Sequence, residues 1–320
     1  MQRRALLALG LASPTAPASP QVIAPASPQV IAPASPQVIA PASPQAVAAA
    51  SPQAVAPARP EVVASFTILG DFVRQIAGPR VSLRTLLAPE ADPHEFAPRP
   101  SDAVAVRDAV LVVRNGLGLE PWLDRLLRAA PPRGRVVTAS DGIGPLLVNA
   151  VPDPHAWLDP MNAQLYARRI GNALAAALPA QAAALQAATE AYLARLARLQ
   201  QRCAERFAAV PADRRVFVVG HPGFGYFAAR FGLEMLAPPR QAGAGAVAAL
   251  VRQVRARRLR ALYFTGPEDA ALMRRVAAEV GLPVLGRLFA ETLSASDGLA
   301  PSYEALIRHD TTLLVTGMSA

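Results

Sequence analysis

Residues 181–209, QAAALQAATEAYLARLARLQQRCAERFAA, place Leu193, Leu196, Leu199, Cys203 and Phe207 three or four positions apart. That is the period of an α-helix with one apolar face, and at 1.5 Å per residue the helix would be about 40 Å long. Such a helix can cross from one folded lobe to another. A shorter helix precedes it. Asp159 is placed to cap that helix and Pro160 to open it, while Leu165, Tyr166, Ile170, Ala173 and Leu174 form its inner face and Pro179 ends it. Cys203 falls inside the apolar stripe, so it reads as a small core hydrophobe rather than a nucleophile.

On both sides of this helical interval the pattern changes to strand and helix in alternation. Short aliphatic or β-branched runs lie at 62–66, 81–87, 109–113 and 135–138, and again at 216–219, 233–236, 261–264 and 284–288. Between them come segments with helical spacing, such as Leu119, Trp122, Leu123 and Leu126. Alternation of this kind implies parallel sheets covered by helices. The expected fold is therefore α/β, with two lobes, each a parallel four-stranded sheet flanked by helices, joined by a long backbone helix. The expected boundaries are a first lobe over 61–180, the linking helix over 181–209 and a second lobe over 210–320.

The first sixty residues belong to neither lobe. Arg3 and Arg4, the short apolar run 5–12 and the small residues Ala16 and Ala18 read as an export signal over 1–18. The adjacent arginines also suit the twin-arginine route. The apolar run falls well short of the ~18–20 residues that cross a bilayer. After it, Ser-Pro-Gln recurs at 19, 27, 35, 43 and 51, a period of eight. The prolines of each unit fix φ and remove backbone donors, so 19–60 is expected to be an extended, disordered tether. The period matches no stacking solenoid. An export signal followed by a tether places the body in the periplasm as a soluble protein.

All 32 basic residues are arginine, against 23 acidic ones, giving a formal charge of +9. Absence of lysine points to compositional bias as much as to a phosphate-binding surface. The cluster Arg252, Arg255, Arg257, Arg258 and Arg260 has no interleaved aromatics for base stacking and reads as a solvated helix face. No nucleic-acid partner is expected. With Cys203 as its single cysteine the chain has no disulfide framework, no thiolate zinc site and no cysteine near its start to carry a lipid. A monomer without a lipid anchor is expected.

Three of the four histidines share a setting. His94 lies in Ala91-Asp92-Pro93-His94-Glu95-Phe96, after the run at 81–87, and His155 lies in Pro152-Asp153-Pro154-His155-Ala156-Trp157, just ahead of the capped helix. The tripeptide Asp-Pro-His thus occurs twice. Proline stiffens each loop, and an aspartate two residues earlier can accept the second ring proton of an imidazole, as partners behind metal ligands often do. His221, in Gly220-His221-Pro222-Gly223, follows the strand at 216–219, where open α/β sheets bind ligands. Imidazole is the common nitrogen ligand of zinc, and one oxygen donor would complete a tetrahedron. Asp297, in Leu293-Ser294-Ala295-Ser296-Asp297-Gly298, is the candidate for that donor. His309 is expected at the end of a short helix, where a cation suits the carbonyl ends.

Other motifs are weak. Gly116 and Gly118 follow a strand, but Pro121 stands at the third glycine of a dinucleotide fingerprint. Gly220, Gly223 and Gly225 lack the lysine of a phosphate cradle. A metal-dependent hydrolase with Glu95 as base is an alternative, but four protein ligands leave no position for catalytic water. A surface adhesin using the repeat as a stalk is another. No enzymatic activity is expected.

The segments 64–78 (ASFTILGDFVRQIAG), 91–102 (ADPHEFAPRPSD), 115–126 (NGLGLEPWLDRL), 153–160 (DPHAWLDP), 220–233 (GHPGFGYFAARFGL) and 294–301 (SASDGLAP) resemble, in order, the zinc- and manganese-binding periplasmic proteins of metal ABC importers, the TroA-like solute-binding protein family 9. The resemblance covers about 62–318. It implies two α/β lobes joined by a long helix, with one transported Zn2+ or Mn2+ ion in the cleft and a membrane permease as partner. It also implies a ligand set at His94, His155, His221 and Asp297. Manganese-selective members commonly carry glutamate at the position of His221, so three imidazoles and one carboxylate favour zinc. Two departures stand out. Pro222 replaces a polar residue, and Gly243 to Ala246 (GAGA) replaces a Glu-Pro-Ser-like segment, which would loosen a loop at the cleft edge.

Overall fold

The computed structural model describes residues 59–238, 244–257 and 259–320. The expected export signal and residues 19–58 of the tether lie outside them. The first lobe is built on strands β1 (Glu61–Ala64), β2 (Ser82–Thr85), β3 (Leu111–Arg114) and β4 (Arg135–Thr138), all parallel, in the order β2-β1-β3-β4. The two central strands carry unbroken apolar runs because both faces are covered. Val62, Val63 and Ala64 of β1 and Leu111, Val112 and Val113 of β3 are fully buried. Helices α1 (Thr67–Ala77), α2 (Pro100–Asp108) and α3 (Pro121–Ala129) fill the connections. The chain leaves β1 toward β2 and returns on the other side as β3, so a crevice opens at the carboxyl ends of β1 and β3.

After β4 comes a small antiparallel hairpin, β5 (Leu147–Val148) and β6 (Val151–Pro152), turned by Asn149 and Ala150, both at positive φ. Helices α4 (Pro160–Ala177) and α5 (Ala182–Ala208) follow. Asp159 caps α4 by accepting the Met161 N–H at 2.8 Å. On α5 the residues Leu185, Thr189, Tyr192, Leu193, Leu196, Leu199, Cys203 and Phe207 are buried, the stripe read from the periodicity. The two helices approach closely at Gly171, where a Cβ would stand 2.2 Å from the Thr189 hydroxyl. Burial pushes the Cys203 thiol up, and its sulfur accepts the Thr311 hydroxyl, consistent with a buried, unreactive group.

The second lobe repeats the alternation less regularly. Strands β7 (Val216–Val218) and β8 (Glu234–Leu236) form one parallel pair, β9 (Leu262–Phe264) and β10 (Val284–Arg287) another, and a single parallel bridge between Val219 and Tyr263 joins them. The order across that bridge, β8-β7-β9-β10, mirrors the first sheet. Helices α6 (Gly225–Phe231), α7 (Ala244–Ala256), α8 (Pro267–Val280) and α9 (Tyr303–Ser319) complete it. Of the expected loop at 243–246, residues 244–246 form the first turn of α7, and Gly243 lies outside the described residues. His309 is likewise not at a helix end. The threonine-rich run after it continues α9 to Ser319, and its ring nitrogen bonds the Arg287 carbonyl at 2.8 Å.

One core joins the helices around α5. Phe72 of α1 packs against Tyr166 of α4, Tyr192 of α5 and Tyr303 of α9, with ring centroids 5.0 to 6.2 Å apart. Among the described residues, no helix is long and apolar enough to cross a membrane.

Candidate metal centre

The two Asp-Pro-His tripeptides fold alike. In each, the aspartate Oδ1 accepts the backbone N–H of the histidine two residues on, Asp92 from His94 at 2.7 Å and Asp153 from His155 at 3.0 Å. This is the local turn that a short carboxylate makes with its own backbone. The second aspartate also reaches the ring: Asp153 Oδ1 lies 2.6 Å from His155 Nδ1. That contact leaves Nε2 facing the opposite way, as a carboxylate behind a metal-binding imidazole does. Each loop is also tied from below. Trp122 Nε1 donates to the Pro93 carbonyl at 2.8 Å, and Asn115 Nδ2 donates to the Pro154 carbonyl at 3.0 Å.

Asn115 is itself fixed. Its Oδ1 accepts the Tyr166 hydroxyl at 2.6 Å, and its backbone N–H donates to the fully buried Glu120 at 2.7 Å. Glu120 also accepts from the Ser65 hydroxyl and the Gly116 N–H. The segment that imitates a dinucleotide fingerprint therefore closes the crevice between β1 and β3 with a carboxylate. It braces the His155 loop.

His221 follows β7 as expected of a strand-end residue. The turn after it brings backbone close to both imidazoles: a Cβ on Gly223 would stand 2.8 Å from His221 Nε2 and 3.2 Å from His155 Cδ2. Glycine is required there by the close approach.

The three rings converge through their Nε2 atoms on one oxygen, and it belongs to Glu291. Glu291 Oε1 lies 2.8 Å from His94 Nε2, 3.2 Å from His155 Nε2 and 3.1 Å from His221 Nε2. His155 and His221 are 3.4 Å apart, Nε2 to Nε2. Four donors around one zinc at ~2.0–2.1 Å would be about 3.3 Å from each other; the ligand atoms of His94, His155 and Glu291 all lie within 4.8 Å of one another, and His221 meets this group through His155 and Glu291. Asp297, the carboxylate expected from sequence, is exposed in the turn before α9 and lies outside this group. The path of the chain accounts for the different positions of the two carboxylates. The chain leaves β10 along the cleft, so the first carboxylate after the strand faces inward, and by residue 297 it has reached the surface.

The backbone on both sides of Glu291 is held. Trp157 Nε1 donates to the Ala290 carbonyl at 2.8 Å, the Leu293 N–H donates to Thr67 Oγ1 at 2.9 Å, and the Phe289 N–H donates to Asp310 Oδ1 at 2.9 Å. Arg287, at the end of β10, pairs with Glu90 at 2.5 Å. Beside the cluster a cavity of about 410 Å³ opens, lined by Glu90, Asp92, Glu95, His221, Glu268, Asp269 and Glu291 among others. Glu95, the candidate base of a hydrolase, is exposed on that wall.

Burial disfavours a charged His155, but hydrogen bonds to Asp153 and Glu291 outweigh it and raise the imidazole to about 9. Burial likewise works against the Glu291 carboxylate. The hydrogen bonds from the three imidazoles nevertheless hold it far below the usual carboxylate range. A buried cationic imidazole and a carboxylate therefore neutralise each other where a divalent cation would fit among the same donors.

The family model for zinc-uptake complex component A, periplasmic (ZnuA), matches residues 62–317. The manganese-binding lipoprotein MntA of Halalkalibacterium halodurans is 30% identical over 262 residues, 80% of this chain and 87% of the relative. The iron-binding protein YfeA of Yersinia pestis is 30% identical over 254 residues, 76% of this chain and 81% of that protein. Among solved structures, the cadmium-bound periplasmic metal-binding protein of Candidatus Liberibacter asiaticus superposes with a TM-score of 0.76 at 27% identity, covering 81% of this chain and all of that one. The periplasmic zinc-binding protein TroA of Treponema pallidum shares the fold, with a TM-score of 0.77 at 24% identity over 81% of this chain and 99% of its own.

Proposed function

This chain belongs to the ZnuA family, the periplasmic component A of zinc-uptake complexes, and on that premise we propose that it captures one zinc ion between His94, His155, His221 and Glu291 and delivers it to a membrane permease. It is a substrate-binding component of metal ABC import and not an enzyme. The observation that carries the ligand assignment is the convergence of three Nε2 atoms on a single carboxylate oxygen at 2.8 to 3.2 Å. In the metal-free protein that oxygen is the acceptor for the imidazoles. Binding requires each Nε2 to lose its proton, to solvent or by a shift to Nδ1, after which the three freed Nε2 lone pairs and the Glu291 carboxylate would be the four ligands of the ion.

Three nitrogens and one oxygen suit zinc better than manganese, which prefers six oxygen-rich ligands. Manganese is the second reading, because the relatives include proteins named for manganese and iron. Metal-stripped protein titrated with Zn2+ against a chromophoric chelator, then with Mn2+ in competition, decides between them. The expected result is one equivalent of Zn2+ bound and not displaced by a large excess of Mn2+. Displacement by equimolar Mn2+ would make manganese the cargo.

A further inference from the structure

We infer that Tyr226 is a positioning residue for metal capture, acting through Asp153 on the His155 imidazole. The inference rests on the proposed ligand set.

Tyr226 lies on α6, whereas Asp153 and His155 lie ahead of α4. The Tyr226 hydroxyl nonetheless joins the base of the β5–β6 hairpin directly. It donates to the Asp153 carbonyl at 3.1 Å and accepts the Leu146 N–H at 2.9 Å. The Asp153 N–H in turn donates to the Leu146 carbonyl at 2.8 Å. One hydroxyl thus closes a ring of hydrogen bonds around the residue whose carboxylate orients His155. Tyr226 and Asp153 are both about one-twentieth exposed, at 5% and 4%, so water does not substitute for these bonds. The neighbouring Gly225 is equally constrained, because a Cβ there would stand 2.9 Å from Asp153 Oδ2.

The outer end of the hairpin has little else to hold it. Leu147, Val148 and Val151 are 63%, 48% and 64% exposed, and each strand pairs only two residues. Without the Tyr226 hydroxyl the hairpin base can drift, and Asp153 with it. The imidazole then loses the direction that points Nε2 at the ion. Because the hydroxyl comes from α6 and the imidazole from ahead of α4, its position also links the two sides of the cleft.

The test is a double-mutant cycle with Tyr226→Phe and Asp153→Ala, read by Zn2+ competition titration and by the visible absorption of the Co2+-loaded proteins. Tyr226→Phe is expected to weaken Zn2+ binding roughly tenfold and to alter the Co2+ spectrum. In the Asp153→Ala background it should produce no further loss, because the path to His155 is already cut. Equal losses in both backgrounds, or an unchanged affinity and spectrum in Tyr226→Phe, would overturn the inference. His155→Ala separates this from failure of the underlying reading. If His155→Ala binds Zn2+ as the unsubstituted protein does, the ligand set itself is wrong. Circular dichroism of each metal-free variant establishes that it is folded, and Tyr226→Trp serves as a second bulky aromatic without the hydroxyl.

Discussion

His155 has the most determined setting of the proposed ligands: its Nδ1 is fixed by Asp153, its loop by Asn115, and its Nε2 faces Glu291. Its imidazole is raised to about 9 from an ordinary 6.5. In the metal-free protein this contributes stability that is fully present below about pH 6.5 and is lost as pH rises through about 9. A metal ligand must be deprotonated, so ion binding has the opposite dependence and strengthens over the same interval. Zn2+ should therefore raise the melting temperature less at about pH 6 than at about pH 8, and calorimetry in buffers of different ionisation enthalpy should show proton release on binding. Equal stabilisation at both values with no proton released would contradict this picture of His155. The three histidines were legible in sequence because stiff Asp-Pro-His loops and a strand-end position both mark ligand-facing residues. The carboxylate was not. Asp297 and Glu291 share one connection after β10, and only the path of the backbone, held by Trp157 and Thr67, decides which faces the cleft. The strand-end argument that found His221, applied to β10, is the signal that would have pointed to Glu291.

Among the elements, α4 and α5 were read almost to the residue, because a cap at Asp159, prolines at the breaks and a 3.6-residue apolar period all agree. The strands of the first lobe were equally plain, since burial on both faces leaves continuous aliphatic runs. The second sheet was harder to read. Its strands are three or four residues long, the β9–β10 pairing shifts register between Val284 and Gly286, and the two strand pairs are joined by the Val219–Tyr263 bridge. The extension of α9 past His309 was masked by threonines, which are weak helix formers but here lie on a helix packed against α5. The closest helix contact gives a test. Gly171→Ala would press a methyl against Thr189, whose Oγ1 and Cγ2 would be 2.2 and 2.7 Å away. Overpacking of this kind should cost about 1–3 kcal/mol in chemical denaturation while Zn2+ affinity stays unchanged. A loss of affinity as large as the loss of stability would mean that α4 and α5 shape the metal centre directly.

Taken whole, the molecule places two proposed ligands ahead of α5, His94 and His155, and two after it, His221 and Glu291. The centre exists only when both parts of the chain are in place. Contacts crossing the cleft are numerous and polar: Arg230 clasps Asp159 through two bonds of 2.7 Å, Arg287 pairs with Glu90, and Thr292 accepts the Glu90 N–H at 3.0 Å. With α5 packed along the shared core, large rotation of one lobe against the other would break these bonds together. Rearrangement of the loops that carry the ligands is the less costly way to admit and release an ion. The central claim is that one ion is held by three imidazoles and the Glu291 carboxylate. It is tested most directly by Zn2+ competition titration of Glu291→Ala and Asp297→Ala side by side. The account predicts that Glu291→Ala lowers affinity by more than about 100-fold and that Asp297→Ala binds as the unsubstituted protein does; a loss in Asp297→Ala with Glu291→Ala unaffected would contradict it.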